Sequence, residues 1–493
     1  MKNYILPVLA AILFISTSCG NKKEKSESIV KPNAVEKNDF LFGVASAAYQ
    51  IEGSYQEDGK GESKWDFATN TVGVTKFIIG EKHTGNVAAN MYDREQYLKD
   101  LKLLQDMGAN AYRFSLDWSR IIPDGTGEVN ELAIAHYDQL IDDCKSFGLE
   151  PVVTLYHFDY PMVLVKKGGW ANPEMGNWFK NYASVVFDRF GEKVNYFITF
   201  NEPYIEFLVA EYLMNLEQSK DADVLRFSRG YAKAYRQILA SAETVKLYKE
   251  KGLKGSIGIT LNLSPTLPFD PSNDLDVKAA ALQDKLLNTF LLDPILKGSF
   301  PSQVKDSVQK YVPEFNPTEK ELKFLGDNKP DFLGINFYAP ALVKYDALVP
   351  FSTTWMGLNT DEVKSHNGPV RPDELYNLLM RLKKEYNNPV MMITENGAGF
   401  EGEDVKETPV VKDPLRADFI KRHINSALKA KEDGANLIGY MAWSGWDNFE
   451  WVFGYTARFG LIYVDFETQE RIPKESYYEY QKILKEKKGL KVN

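Results

Sequence analysis

Cysteine is nearly absent, with two residues in a chain of 493. That excludes a disulfide framework and a four-cysteine zinc site. Histidine is scarce as well, and five scattered residues make a histidine-built metal cluster a poor expectation. No excess of positive charge exists: 59 basic residues stand against 68 acidic ones, a formal net charge of −9, which argues against a nucleic-acid partner. Beyond the N-terminus no run is long and apolar enough for a membrane helix. No G-x-G-x-x-G opens a helix after a strand, no G-x-x-x-x-G-K-[ST] occurs, and Gly59-Lys60-Gly61 reads only as a loop. No Ser/Cys–His–acid order suggests acyl transfer. The remaining composition, 44% hydrophobic and 26% charged, is globular and excludes disorder and collagen-like repeats. The length fits two or three average domains, or one large α/β barrel with insertions.

What the chain has in quantity is aromatic side chains: 8 Trp, 27 Tyr and 29 Phe. Such rings fill cores, and lining a cleft they also suit sugar faces.

The first residues read as an address. Lys2 precedes the apolar stretch Ile5 to Ile15, which has signal-peptide length and is too short to span a bilayer. Ser16-Thr17-Ser18-Cys19 follows and resembles the lipobox of bacterial lipoproteins, although Ser16 stands where that motif usually has Leu. The expectation is a signal peptide over 1–18, lipidation of Cys19, a polar tether over 20–38, and a folded domain over 39–493. A plain secretory signal is the alternative. The lipoprotein reading places the protein outside the cytoplasm, periplasmic or on the outer membrane of a bacterium, touching membrane only through that lipid. Cys144 lies in a helical pattern ending at Gly148 and is expected to pack in the core.

From Asp39 onward one unit recurs: an amphipathic helix, a glycine, then a short β-rich run. Tyr97, Leu101 and Leu104 lead to Gly108 and then to 109–115. Leu140 and Cys144 lead to Gly148 and 151–156. Val186 and Phe190 lead to Gly191 and 196–200; Val245 and Tyr248 to Gly252 and 256–261; Leu428 to Gly434 and 437–442. These glycines are expected to supply left-handed helix caps. Further strand-like runs at 40–43, 331–336 and 390–394 bring the count to eight. Continuously apolar strands alternating with helices mean a parallel sheet covered on both faces, and eight such units predict a single (β/α)8 barrel with loop insertions. An open doubly wound sheet is the alternative.

A barrel of this kind carries its chemistry at the C-terminal ends of its strands. Arg113 lies in the second run, and His157 follows the third. Asn201-Glu202 follow the fourth, Asn336-Phe337-Tyr338 close the sixth, Glu395-Asn396-Gly397 follow the seventh, and Trp443 follows the eighth, with Glu450-Trp451 in the next loop. Taken singly, each has an ordinary explanation. A glutamate after a strand favours a helix N-terminus, and a tryptophan there is usually core. His157-x-Asp159 offers only two metal ligands. Falling together at one end of successive strands, they point to two carboxylates across an aromatic, hydrogen-bonding cleft, a pattern that suits glycoside hydrolysis. Sequence spacing does not give the carboxylate separation.

At these residues the chain resembles glycoside hydrolase family 1, the β-glucosidase family of retaining barrel enzymes. The resemblance spans about residues 39–485. It rests on Phe42-Gly-Val-Ala-Ser-Ala-Ala-Tyr-Gln50-Ile-Glu-Gly53, on Tyr112-Arg-Phe-Ser115 with Trp118-Ser-Arg120, and on Thr154-Leu-Tyr-His157-Phe-Asp-Tyr-Pro161. Thr199-Phe-Asn-Glu202-Pro203, Ile393-Thr-Glu395-Asn-Gly397, Trp443-Ser444, Asp447-Asn-Phe-Glu450-Trp451 and Arg458-Phe-Gly-Leu461 follow in family order. The resemblance implies a β-glycoside as partner and neither cofactor nor metal. It implies Glu395 as nucleophile and Glu202 as acid and then base, with Arg113 favouring the ionised nucleophile and Tyr338 hydrogen-bonded to it. Asn201 would hold the sugar 2-hydroxyl, and Asn336 belongs to the same strand-end set. Gln50, His157, Glu450 and Trp451 would hold the other hydroxyls, Trp443 would form the stacking floor, and Phe459 would line the far end.

Three features narrow the resemblance. A glutamate at 202 argues against a thioglucosidase, Glu450-Trp451 is the pair of relatives acting on neutral sugars, and Ala457-Arg458-Phe459 replaces the phosphate-binding residues of the 6-phospho branch. The departures lie on the leaving-group side: the polar stretch 215–229, Ala240-Ser241-Ala242, Phe158 after the histidine, and His366 to Pro372. A β-mannosidase or transglycosylase on the same site, a catalytically silent sugar-binding lipoprotein, and a scaffold using the barrel alone are the rival readings.

Overall fold

The computed structural model describes residues 35–36, 39–207, 223–313, 315–347, 353–355, 363–407 and 409–492. The expected signal peptide, Cys19, nearly all of the tether, and residues 215–222 of the polar stretch lie outside the described residues.

All eight expected strands are present: β1 (Leu41–Ala45), β2 (Ala111–Ser115), β3 (Glu150–Thr154), β4 (Tyr196–Asn201), β5 (Ser256–Asn262), β6 (Phe332–Asn336), β7 (Met391–Asn396) and β8 (Leu437–Trp443). Each pairs in parallel with its sequence neighbours, and β1 pairs with both β2 and β8, which closes the barrel. The strands form because their apolar, β-branched and aromatic residues are covered on both sides.

The outer ring is α1 (Arg94–Met107), α2 (Glu131–Ser146), α3 (Met175–Phe190), α4 (Asp223–Glu250), α5 (Glu319–Asp327), α6 (Pro372–Glu385), α7 (Pro414–Glu432) and α8 (Glu475–Glu486), one after each strand. Asp93 starts α1 by accepting from the backbone amides of Glu95 and Gln96, and Asn130 starts α2 in the same way. Thr318 and Glu321 form a reciprocal capping box on α5. Gly108, Gly148, Gly252 and Gly434 take positive φ at the helix ends, as expected. Gly191 does not: its φ is −58°. Glycine is required there by crowding, since a Cβ would come within 2.4 Å of the Phe187 carbonyl oxygen.

Two cores result. The large one lies between strands and helices and includes Leu101, Leu104, Tyr182, Val186 and Phe419. Cys144 belongs to it and is fully buried, and burial pushes its thiol pKa far up, so it stays protonated. The small core plugs the barrel itself with Leu41, Ala111, Val152, Ile198, Phe332, Met392 and Met441. Above this plug the inward positions turn polar: Arg113, Thr154, Thr260, Asn336 and Thr394 are all fully buried. That change of layer positions the site.

Candidate active site

The pairing register slips at two strand ends, between Ile198 and Asn201 on β4 and between Ile393 and Glu395 on β7. Such irregularities re-aim side chains, and these two carry the carboxylates. Glu202 itself has φ +46°, a conformation uncommon outside glycine, and Phe158 and Trp451 share it at +74° and +47°. All three line one cavity at the C-terminal mouth. Gly397 makes the junction with β8 possible, because a Cβ there would lie 1.5 Å from the Trp443 carbonyl oxygen.

Glu395 and Glu202 are held differently. Arg113, fully buried, donates from Nη1 to Glu395 Oε1 at 2.7 Å and to the Thr394 carbonyl at 3.0 Å. Its Nε donates to Thr154 Oγ1 at 3.1 Å, which fixes the guanidinium plane. Tyr338 donates its hydroxyl to Glu395 Oε2 at 2.5 Å. Glu202 has no cation in contact among the described residues. Its Oε1 accepts from Asn336 Nδ2 at 2.6 Å and from Asn262 Nδ2 at 3.3 Å. Asn336 also favours the ionised form of Glu395, so one amide serves both carboxyls.

Asn201 organises the next position. Its Oδ1 accepts from Arg113 Nη2 at 2.8 Å and from Asn336 Nδ2 at 3.0 Å. Two donors at the oxygen orient the amide, so its Nδ2 faces His157 Nε2 at 3.0 Å. Burial, with Arg113 nearby, pushes His157 well below the ordinary histidine range, so the imidazole is neutral. Its Nε2 then accepts, and its Nδ1 is buried without a partner among the described residues. The ring stacks on Trp443 and Trp451 at 5.9 and 5.8 Å between centroids.

The titration of the two glutamates follows from this. Burial pushes Glu202 up to about 8, and the negative charge of Glu395 adds to the rise; Asn336, Asn262 and Arg113 oppose it. Burial also raises Glu395, against Arg113 and the Tyr338 hydroxyl. Arg113 favours the ionised form of Glu395, as expected, but desolvation is larger and the net direction is upward. The asymmetry survives, because only Glu395 has a guanidinium and a phenol on its oxygens. The Tyr338 phenol, driven well above 10 first by burial and then by Glu395, remains a donor.

Of the expected residues, His157, Asn201, Glu202, Tyr338, Glu395, Trp443, Glu450, Trp451 and Phe459 line the cavity. Arg113 and Asn336 lie in the row beneath, reaching it through the bonds above. Gln50 is fully buried and is not among the lining residues. It donates to the Phe449 carbonyl at 2.8 Å and to Glu450 Oε2 at 3.2 Å, and its own Oε1 lacks a partner among the described residues. Burial lifts Glu450 to about 7, while Asn448 and Gln50 donate to it.

Sequence reasoning missed Asn262, Lys64, Glu206 and Asn367, all of which line the same cavity. Asn262 was within reach, since it ends β5 as Asn336 ends β6. The others sit in short helical turns and a hairpin tip between the barrel elements, whose placement no periodicity encodes. His366 and Asn367, in the stretch that departs from the resembling family, form the tip between 364–365 and 368–369, and so come to the mouth.

A closed parallel barrel with two differently held carboxylates in an aromatic mouth defines a glycoside hydrolase. The family model "Glycosyl hydrolase family 1" matches residues 34–489. β-Glucosidase A of Enterobacter agglomerans is 39% identical over 459 residues, 91% of this chain and 94% of its own. A 6-phospho-β-galactosidase of Staphylococcus aureus is 36% identical over 478 residues, 91% of this chain and 98% of its own. Among solved structures, a family 1 β-glucosidase from Thermotoga maritima superposes with a TM-score of 0.83 at 37% identity, covering 92% of this chain and 98% of that one. The chain belongs to glycosyl hydrolase family 1, whose enzymes are retaining glycosidases.

Proposed function

We propose that the protein is an exo-acting β-glucosidase for neutral β-glucosides, with Glu395 as nucleophile and Glu202 as acid and base. The observation that carries the reading is the unequal environment of the two glutamates. Glu395 is charge-stabilised by Arg113 and Tyr338, whereas Glu202, buried beside it, holds a proton up to about pH 8. In the first step a Glu395 oxygen attacks the anomeric carbon, the glycosidic C–O bond breaks, and the Glu202 proton passes to the leaving oxygen. In the second, Glu202 as carboxylate takes a proton from water, the water oxygen attacks the anomeric carbon, and the bond to Glu395 breaks.

The glycone contacts suit a neutral sugar. Asn201, held by Arg113 and Asn336, stands beside His157 for the 2-hydroxyl region, and Trp443 offers a flat face. Gln50, Glu450 and Trp451 remain for the other hydroxyls. A phosphorylated glycone would meet Glu450 with no unpaired cation among the described lining residues. Arg458 is held by Asp447 at 2.5 Å, and Lys64, the only cation among the described lining residues, is held by Glu206.

Hydrolysis of p-nitrophenyl β-glucoside, galactoside, fucoside, mannoside and 6-phosphoglucoside tests the reading, run beside Glu395→Ala. Glucoside turnover that the substitution abolishes supports it. Preference for the 6-phosphoglucoside or the mannoside, or activity surviving the substitution, overturns it.

We also propose export and lipid anchoring at Cys19, supported by the apolar run and small residues before it. The described barrel starts at Leu41, at the end of β1 opposite the mouth, so an anchor joined there leaves the mouth facing solution. Fatty-acid labelling lost in Cys19→Ser supports this; labelling that persists contradicts it.

A further inference from the structure

Lys64 and Glu206 form a buried ion pair in the wall of the catalytic cavity. Lys64 Nζ meets Glu206 Oε1 at 2.8 Å, and both side chains are nearly inaccessible. Burying two charges is unfavourable unless their remaining hydrogen-bonding capacity is met. For Glu206 it is met: Tyr156 donates its hydroxyl to both carboxylate oxygens at 2.9 Å, and Gln237 Nε2 donates to Oε2 at 2.8 Å. Tyr156 is in turn fixed by the Trp170 indole N–H at 3.1 Å. Glu206 is therefore saturated and rigid, and its evident role is to hold Lys64.

Lys64 is not saturated by this contact. An ammonium has three N–H donors and no acceptor; Glu206 takes one, and the Tyr160 ring lies 5.5 Å from Nζ as a cation–π neighbour. The side chain lines the cavity beside Trp65, which packs against Trp451 at 4.6 Å between centroids. Glu206 follows Glu202 by four residues and lines the same cavity. The side of Glu202 is that of the leaving group under the proposed function, and the present inference rests on that assignment. Asn262, bonded to Glu202, and Asn367 add two amides to the cavity lining.

We infer that Lys64, positioned by Glu206, is a specificity residue that donates hydrogen bonds to a sugar leaving group, so that the preferred substrates are β-linked oligosaccharides rather than aryl or alkyl glucosides. Charge decides between a sugar and an anion. The Glu206 carboxylate at 2.8 Å cancels the charge of Lys64, which leaves directional donors without a net attractive field. Hydroxyl and ring oxygens match such donors. An aromatic or alkyl leaving group would leave them without water and without a partner, which is the arrangement that discriminates most strongly.

The test compares kcat/KM for cellobiose, followed by glucose release, with that for p-nitrophenyl β-glucoside, using the full protein. The variants are Lys64→Met and the charge-neutral Lys64→Met/Glu206→Gln, the second avoiding an unpaired buried carboxylate. The ratio of disaccharide to aryl glucoside is expected to fall about tenfold or more in both, chiefly through KM for the disaccharide, with partial recovery in Lys64→Arg. A ratio within twofold of the parent in both variants, or parallel loss on the two substrates, overturns the inference. If the parent cleaves neither substrate, the glucosidase reading fails; if it cleaves them and the ratio does not move, only this inference fails.

Discussion

Arg113 and Glu395 meet at 2.7 Å, guanidinium to carboxylate, although they stand 282 positions apart in the chain. The contact is buried and has a second anchor, the Thr154 hydroxyl under the guanidinium. Its consequence is a test of charge. In Arg113→Met, burial acts on Glu395 unopposed by a cation, so its pKa rises further. The acid limb of the kcat/KM profile should move to higher pH, and activity at pH 6 should drop by at least a hundredfold, about 2.7 kcal/mol in the barrier. An unmoved acid limb would show that Arg113 does not control the ionisation of Glu395.

The basic limb belongs to Glu202. Glu202 works protonated in the first step, and its proton is lost near pH 8. Activity should therefore fall as pH rises through about 8 and also as pH drops through the range where Glu395 takes up a proton, giving a bell. Glu202→Ala should flatten the basic limb and spare 2,4-dinitrophenyl glucoside, whose leaving group needs little protonation, more than cellobiose. A basic limb that persists in that variant would assign it to another group.

Stability should respond in the opposite sense to activity. A carboxyl whose pKa is raised in the folded state disfavours folding wherever the unfolded chain would be ionised. The penalty is absent below the ordinary glutamate pKa, grows as pH rises above it, and levels off past about 8. Glu202→Gln removes that group while keeping an acceptor for Asn336. It should stabilise the protein by about 1–3 kcal/mol at pH 7.5 and by little at pH 4. Thermal unfolding at the two pH values decides; a variant that is less stable at pH 7.5 would contradict the burial argument.

How much of this was legible in the chain can be argued from particular residues. The strands were readable because each is a short apolar run after a helix, and the barrel made one rule sufficient: residues at strand ends converge. Arg113, Asn201, Glu202, Asn336 and Glu395 followed from that rule, and the first four now sit within one bonded network with the fifth. The rule fails for the connecting segments. Lys64 and Glu206 lie in separate short helical turns, Lys64–Asp66 and Ile205–Phe207, and meet only because the tertiary fold places them side by side. Gly191 shows a subtler failure, since it looked like a left-handed cap and is a packing glycine against Phe187. The net direction of the Glu395 shift was not legible either, because sequence names a charge partner but not the depth of burial that outweighs it.

Gly397 gives a check on the backbone that carries Glu395. Its missing Cβ would meet the Trp443 carbonyl oxygen at 1.5 Å, and neither strand end can yield without moving the site. Gly397→Ala should destabilise by more than about 2 kcal/mol and cut activity severely. Gly176→Ala, near the start of α3, meets only the Ala240 methyl at 3.8 Å and should be neutral or stabilise by about 0.5 kcal/mol. Equal unfolding temperatures for the two variants would show that the contact is not tight.

The nucleophile is the centre of the account, and a covalent trap reads it directly. A 2-deoxy-2-fluoro-β-glucosyl fluoride forms the glycosyl ester readily, because fluoride leaves without an acid, and breaks it slowly, because the fluorine destabilises the oxocarbenium-like transition state. Incubation with the protein, followed by proteolysis and mass spectrometry, should place one fluoroglucosyl group on the peptide containing Ile393-Thr394-Glu395-Asn396-Gly397, with the modified residue Glu395. A label on Glu202 or elsewhere, or continued turnover with no label, would contradict it.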